Sequence, residues 1–528
     1  MLPTIDFRQI RIHQGSQHRG FEELCFQLLP DLVDIPAAAR VERHGTPDGG
    51  VEFLVTLSDG AVHGWQAKYL FGFGRNELGQ LDKSVKAALD SQPKLARYTF
   101  CLPYNRPAGG DSKATSAMQR WYSHRGQWER WATERGMKVE FDYMGESELL
   151  AALSRPHQAA RVYYWFGTTV LTPEWFQARL AEAVQHAGPR YTPKLHVDLP
   201  IAFYFEGLGR TQAFQDRLRL RLRGVRESRN QYTLRGLREE NPELEVLLEP
   251  AERLLDEMDR LVLGIDLSGT GPVDLQGVVT TCTQIAEWLR SIIDRLDERR
   301  HEARAAGGGE AQGPSGSAAG DRGKRADDWL SASIELRRTA QSVRELAELA
   351  GGNVGLLVRQ PTLLLTGEPG AGKTHLLCDV ARSRVEAGRP TVVLFGQHFG
   401  PSPLWRQILD QLGLACTPDE FLGALNVAAE TAGCRALLMI DALNEAEPAS
   451  LWRDQLAAFL HKVLAFPWLG IALSCRSSYV QAVVPAELPS DRLLRVEHTG
   501  FAEQTYEAVR VFFDHFHLVR PDFPLIVP

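Results

Sequence analysis

The sequence predicts a multidomain α/β protein with a helical middle, and three observations carry that expectation. Between Thr362 and Ser474, short apolar runs alternate with helical segments, the pattern of a parallel sheet covered by helices. Between Val51 and Tyr143, a hairpin signal is followed by further short strands and helices. Residues 166–350 lack strand-dense stretches and carry long amphipathic periodicities instead. A chain of 528 residues is long enough for about three or four such units at ordinary domain size.

Composition narrows the class. Hydrophobic residues make up 44% and charged residues 24%, which is globular composition and excludes a fibre or a wholly disordered chain. Lys and Arg number 59 against 66 Asp and Glu, a net charge of -7. Global charge therefore gives no support to nucleic-acid binding, which needs only a local basic patch. The 7 cysteines are scattered, show no CxxC pair and no zinc spacing, and suggest buried thiols in a reducing compartment. No apolar run approaches a membrane span, and Asp6 and Arg8 interrupt any signal-peptide core. A cytoplasmic protein without membrane contact is expected.

Residues 1–165 read as one α/β unit. Gly20 to Leu29 is a short amphipathic helix. Val51 to Leu57 and Ala61 to Tyr69 are strands joined by the turn Ser58-Asp59-Gly60. Leu78 to Leu89 is helical, Tyr98 to Leu102 and Val139 to Tyr143 are strands, and Glu146 to Leu153 is a helix with acids in its first turn. Trp65, Tyr164 and Trp165 are expected in the core. His44 and His63 lie near strands and are read as structural.

Residues 166–350 read as a mainly helical connector. Helices are expected over Gln212 to Leu222, Glu243 to Leu261, Leu275 to Arg300 and Asp327 to Leu349. The tract 303–325 lacks large apolar residues and is expected as a mobile loop. The run Arg217, Arg219, Arg221 and Arg223 is either a solvated face or a nucleic-acid or subunit contact. Residues 351–505 form the parallel α/β unit, with strands at Thr362 to Thr366, Thr391 to Phe395, Ala436 to Ile440 and Gly470 to Ser474. Residues 506–528 read as the start of a following helical or winged-helix region, cut short by truncation.

The most specific motif is Gly367-Glu368-Pro369-Gly370-Ala371-Gly372-Lys373-Thr374, a full GxxxxGK[ST] phosphate-binding loop between an apolar strand and a helix. Its glycines let amides turn inward around phosphate oxygens, Lys373 supplies a charge, and Thr374 places a hydroxyl on Mg²⁺. Asp441 closes the apolar strand Leu437-Leu438-Met439-Ile440 and is placed to hold the Mg²⁺ of a bound ATP. Glu445 is the better of the two acids to polarise the attacking water. Arg476 follows the next strand and points toward the phosphates.

A second constellation lies near the N-terminus: Glu22, Asp48, Glu52, Gln66, Lys68 and Gln80. Gln66 and Lys68 are two apart and so share a strand face. A carboxylate and an amide oxygen at a sheet edge suit Mg²⁺, with Lys68 orienting or activating water for phosphodiester hydrolysis. Whether Glu52 or Asp48 is the main metal ligand stays open.

Two resemblances follow from these residues. GEPGAGKTH, LLMIDALNE and LSCRS over about 355–505 resemble the STAND class of P-loop ATPases, relatives of the AAA+ proteins. GFEELCFQLL, GTPDGGVEFLV, GWQAKYLF and QLDKSVKAAL over about 15–105 resemble the Mrr-type branch of the PD-(D/E)xK nucleases, a restriction-endonuclease-like fold. Carried over, that family's helix-borne Glu falls on Glu22, its metal-binding acid on Glu52, its QxK strand on Gln66 and Lys68, and its helical Gln on Gln80. Glu52 stands where Asp is usual.

The order nuclease, connector, ATPase resembles the antiviral STAND proteins of bacteria. The resemblance implies an ATP-regulated, Mg²⁺-dependent endonuclease that senses a phage protein through a C-terminal region, assembles as a homo-oligomer, often a tetramer, and cuts double-stranded DNA. The alternatives are a DNA-translocating restriction ATPase, a regulatory or DNA-binding scaffold with a silent nuclease fold, and a STAND transcription regulator.

Overall fold

The computed structural model describes residues 4–32, 35–36, 39–44, 49–108, 115–167, 171–228, 245–267, 269, 271, 273–307, 316–448, 450–489, 492–501 and 504–518. They divide into two compact units, Met1–Trp175 with Cys416–Val427, and Phe176–Ala415 with Ala428–Pro528. Residues 176–350 of the expected connector and most of the expected ATPase, all but 416–427, thus fall in one unit.

The first unit is built on a five-stranded mixed sheet, ordered β1 (Arg40–Arg43), β2 (Phe53–Thr56), β3 (Val62–Ala67), β4 (Leu95–Cys101) and β5 (Glu140–Met144). β1, β2 and β3 pair antiparallel, whereas β3, β4 and β5 run parallel. The expected turn closes the β2–β3 hairpin, with Gly60 at φ 83°. Its helices are α1 (Gln17–Leu32), α2 (Arg75–Ser91), α3 (Ala117–Glu134), α4 (Glu146–Leu153) and α5 (Ala159–Phe166).

Alternation along the strands decides what each face packs against. Tyr98, Phe100 and Phe141 bury themselves with Leu81 and Val85 of α2 and Trp121 and Trp128 of α3. Phe53 stacks on Trp65, and Phe26 of α1 meets Phe53 at 5.7 Å. β1 and α3 were not anticipated. β1 is a mostly exposed edge strand with charged side chains, which leaves no apolar signal. α3 carries a Ser116/Gln119 capping box, the local signal that marks its start.

The second unit contains a helical bundle and a parallel sheet. Preceding them is α6 (Pro173–Ala187), then the short α7 (Tyr204–Leu208). The bundle comprises α8 (Gln212–Ser228), α9 (Glu245–Leu263), α10 (Leu275–Gly307) and α11 (Gly316–Gly351). Leu218, Leu222 and Val225 pack with Leu255, Ile285, Leu289, Ile292, Leu336 and Val343, a core at three- and four-residue spacing.

The tract expected as a loop at 303–325 is helical wherever it is described. α10 continues to Gly307 and α11 already starts at Gly316. Ala303 to Ala306 continue α10 because Ala and Arg lose little freedom in a helix, whereas local propensity does not account for the start of α11 in the glycine-containing stretch Gly316 to Lys324. Residues 308–315 lie outside the described residues. Of the arginine run, Arg221 pairs with Glu345 at 2.5 Å and Arg217 lies over the Phe203 ring.

The sheet has the order β10 (Leu494–Glu497), β6 (Thr362–Thr366), β9 (Leu469–Ser474), β8 (Ala436–Asp441), β7 (Thr391–Phe395), parallel throughout. β8 and β9 are wholly buried and nearly all apolar, as a doubly covered parallel sheet requires. The helices of this part of the chain are α12 (Asn353–Arg359), α13 (Lys373–Glu386), α14 (Leu404–Gln411), α15 (Pro418–Ala432, grouped with the first unit up to Val427), α16 (Leu451–Leu464), α17 (Val480–Val483) and α18 (Thr505–His515). β10 was not foreseen, because its Arg495 and Glu497 break the apolar run. Of the region expected to follow the ATPase, only α18 and its flanks are described.

All seven cysteines are free, six of them buried. Among the described residues, no helix is long and apolar enough to cross a membrane.

Candidate nucleotide site and acidic cluster

The phosphate-binding loop sits between the carboxyl end of β6 and the first turn of α13. Gly370 and Gly372 adopt left-handed φ values of 82° and 96°, which a side chain would strain. A Cβ on Gly370 would meet nothing within 4 Å, so the loop encloses open space. Lys373 Nζ donates to the carbonyls of Gly367 at 2.8 Å and Glu368 at 2.9 Å, holding the loop wound. Burial lowers the Lys373 pKa, and the nearby Asp441 carboxylate opposes the shift.

Thr374 Oγ1 donates to Asp441 Oδ2 at 2.7 Å. Ser474 Oγ donates to Asp441 Oδ1 at 2.5 Å and accepts from the Ala442 amide at 2.8 Å. Ala442 is held at φ 52° and ψ 56°, an uncommon conformation for a residue with a side chain. That kink ends β8 and turns the chain into Leu443–Glu445, which brings Glu445 over the loop.

Two arginines meet Glu445. Arg476 Nη2 lies 3.3 Å from Oε1, and Arg190 Nη1 lies 3.2 Å from Oε2. The Arg476 amide donates to Asn444 Oδ1 at 3.1 Å. Lys373, Thr374, Asp441, Glu445 and Arg476 thus line one cavity of about 250 Å³, together with Arg190. The sequence reading missed Arg190, Asn444 and Ser474. Ser474 was detectable as the polar residue closing an apolar strand.

A second cavity, of about 510 Å³, adjoins the loop at Gly370 to Gly372. Its walls include Leu195, Val197, Leu199, Ala508 and Phe512. His498 lines it and is buried at 3% exposure. The ring accepts from the Gly500 amide through Nδ1 at 3.0 Å, which leaves Nε2 as a buried donor with no hydrogen-bond partner. A mainly apolar cavity with a few polar groups, His498 among them, beside a phosphate cradle suits a nucleobase and its ribose. The open loop, the Thr374–Asp441 pair and the orphaned His498 nitrogen all fit a Mg²⁺-nucleotide.

Residues 358–466 match a family model described as an AAA domain. The segment is a P-loop nucleotide-binding domain of the AAA family, the class that binds and hydrolyses ATP, usually with Mg²⁺. No curated protein matches the chain.

In the first unit, the structure brings three of the predicted residues together. Glu52, at the entry to β2, is buried, as is Gln66 on β3. The Gln66 amide donates to Glu52 Oε1, the Ala67 amide donates to Oε2 at 2.9 Å, and Lys68 Nζ lies 3.8 Å from Oε1. Glu22 of α1 is buried and pairs with Arg19 at 2.8 Å and His18 at 3.2 Å. Burial lowers the His18 pKa; Glu22 opposes this and Lys68 adds to it. Gln80 is exposed on α2 and makes no hydrogen bond to Glu52. Asp48 lies outside the described residues. Among the described residues, no group of three or more His, Cys, Asp or Glu side chains is placed to hold a metal ion.

Proposed function

We propose that this chain is an ATP-regulated, Mg²⁺-dependent DNA endonuclease of a bacterial anti-phage system. The observation that carries the nucleotide half is the single cavity lined by Lys373, Thr374, Asp441, Glu445 and Arg476. There Lys373 and the inward amides bind phosphate oxygens, and Thr374 and Asp441 would hold Mg²⁺, which supplies charge neutralisation between the phosphates. Glu445 accepts the proton of the attacking water, and Arg476 stabilises charge on the terminal phosphate.

The nuclease half rests on the Glu52–Gln66–Lys68 cluster. Glu52 would hold the cation, with the Gln66 carbonyl oxygen after an amide flip. Lys68 orients water toward the scissile phosphorus. The wider scheme rests on the resemblance of the sequence: a phage protein as trigger, a homo-oligomer, often a tetramer, as active species, and double-stranded DNA as substrate.

A second reading is favoured by one observation. Hydrogen-bond donors from Gln66, Ala67 and Lys68 already surround the Glu52 carboxylate. That suits a fold that binds DNA or scaffolds assembly without cutting. The separating experiment compares the chain with Lys68→Ala on supercoiled plasmid, with Mg²⁺ or EDTA, ATP and phage lysate. Nicking or linearisation lost in Lys68→Ala supports the nuclease. Equal plasmid profiles, with a gel shift that survives EDTA, support the scaffold.

A further inference from the structure

The phosphate cavity contains a cation that does not come from the sheet. Arg190 closes the Gly188–Arg190 turn after α6, on a segment that crosses α13. That segment is pinned along the helix. His375 Nε2 meets the Thr192 carbonyl at 3.1 Å, Tyr191 Oη donates to Asp379 Oδ1 at 3.3 Å, and His196 Nδ1 lies 3.0 Å from Asp379 Oδ2. Leu195 and Val197 then enter the wall of the larger cavity. One strap thus borders both the phosphate cradle and the proposed base pocket.

At the cradle end, the guanidinium of Arg190 bonds Glu445 at 3.2 Å and Gln397 Oε1 at 3.0 Å. The pair is partly exposed, at 34% for Arg190 and 27% for Glu445, so it is an exchangeable contact rather than a buried lock. Lys373, Arg190 and Arg476 face Asp441 and Glu445 across the cavity, three cations against two carboxylates. The surplus positive charge has no carboxylate of its own within the lining. A terminal phosphate is a stronger bidentate partner for a guanidinium than one shared carboxylate.

We propose that Arg190 is a γ-phosphate-sensing residue supplied in cis. In the triphosphate state its guanidinium leaves Glu445 for the terminal phosphate, and Glu445 is freed to take a proton from water. In hydrolysis, the water oxygen bonds to the γ-phosphorus and the bond from that phosphorus to the β–γ bridging oxygen breaks. The diphosphate keeps the bonding pair, and the water proton passes to Glu445. With diphosphate bound, Arg190 returns to Glu445. The strap therefore changes its contact with the cradle according to which nucleotide is present. The proposal rests on the nucleotide-binding reading of the same cavity.

The test is calorimetric titration of the full chain with Mg²⁺-ATPγS and with Mg²⁺-ADP, alongside ATP turnover. Arg190→Ala is expected to weaken ATPγS about tenfold or more, to leave ADP within about twofold, and to lower kcat at saturating ATP. Arg190→Lys, which keeps the charge and is the safer variant for folding, is expected to recover part of the ATPγS affinity. Equal losses for the two nucleotides, or unchanged ATPγS binding in both variants, would overturn the assignment. If the wild-type chain binds neither nucleotide, the reading of the cavity fails first and this proposal with it.

Discussion

Thr374 and Asp441 are joined by a 2.7 Å hydrogen bond between the first turn of α13 and the end of β8. Those two groups are the ones a Mg²⁺-nucleotide needs side by side. Their direct contact holds the two oxygens of the proposed cation site together at the end of the sheet. Asp441→Asn keeps the shape and removes the charge. We expect nucleotide affinity in Mg²⁺ to fall to the level seen in EDTA, with the EDTA value itself within about twofold of wild type. Titrations in the two buffers read this directly.

Lys373 spends its ammonium on two loop carbonyls and sits on the floor of the phosphate cavity. Lys373→Ala removes the only lysine lining it among the described residues. Nucleotide at about a hundred times its Kd should stabilise the wild-type chain by about 2.7 kcal/mol. The variant should lose most of that gain while its ligand-free melting profile stays close to wild type. Thermal melts with and without ATP measure both quantities.

Ala508 of α18 is buried against the larger cavity. Ala508→Trp would fill space assigned to the base and leave the phosphate cradle intact. ATP and ADP should weaken together by about tenfold or more, while binding of inorganic pyrophosphate stays within about twofold. A uniform loss across all three ligands would remove the base from that cavity.

His498 gives the second unit an acid sensitivity. Burial, reinforced by the Lys373 charge, lowers its pKa below the usual 6.5. As pH falls, the unfolded ring takes up a proton before the folded one does. The stabilisation is therefore complete above pH 6.5 and drains away as pH falls through the lowered folded value. His498→Gln should show a smaller drop in melting temperature between about pH 7.5 and about pH 5.5 than wild type. An identical drop in both proteins would assign the sensitivity to other histidines with a lowered pKa, of which His398 is one.

The nucleotide cradle was legible before the fold because its parts are local. The strand Leu363 to Leu365, the glycines, Lys373 and Thr374 are consecutive, and Asp441 is marked by the apolar strand it closes. Gln66 and Lys68 were likewise fixed to one region by strand alternation, and Glu52 by the hairpin that precedes them. The Gly316-to-Lys324 stretch misled because its three glycines and its lack of large apolar residues read as a loop, while the helix α11 begins there.

What the amino-acid order determined alone is the apolar strands, the loop that cradles phosphate, and the acids that close the strands and turns beside it. Tertiary structure decided which of them meet. Arg190 reaches Glu445 across 255 residues, β10 brings His498 beside Gly372, and Glu22 turns to Arg19 and His18. Periodicity and motif spacing are short-range properties of the chain. An ion pair between distant segments depends on how helices and strands pack, and no local pattern records that.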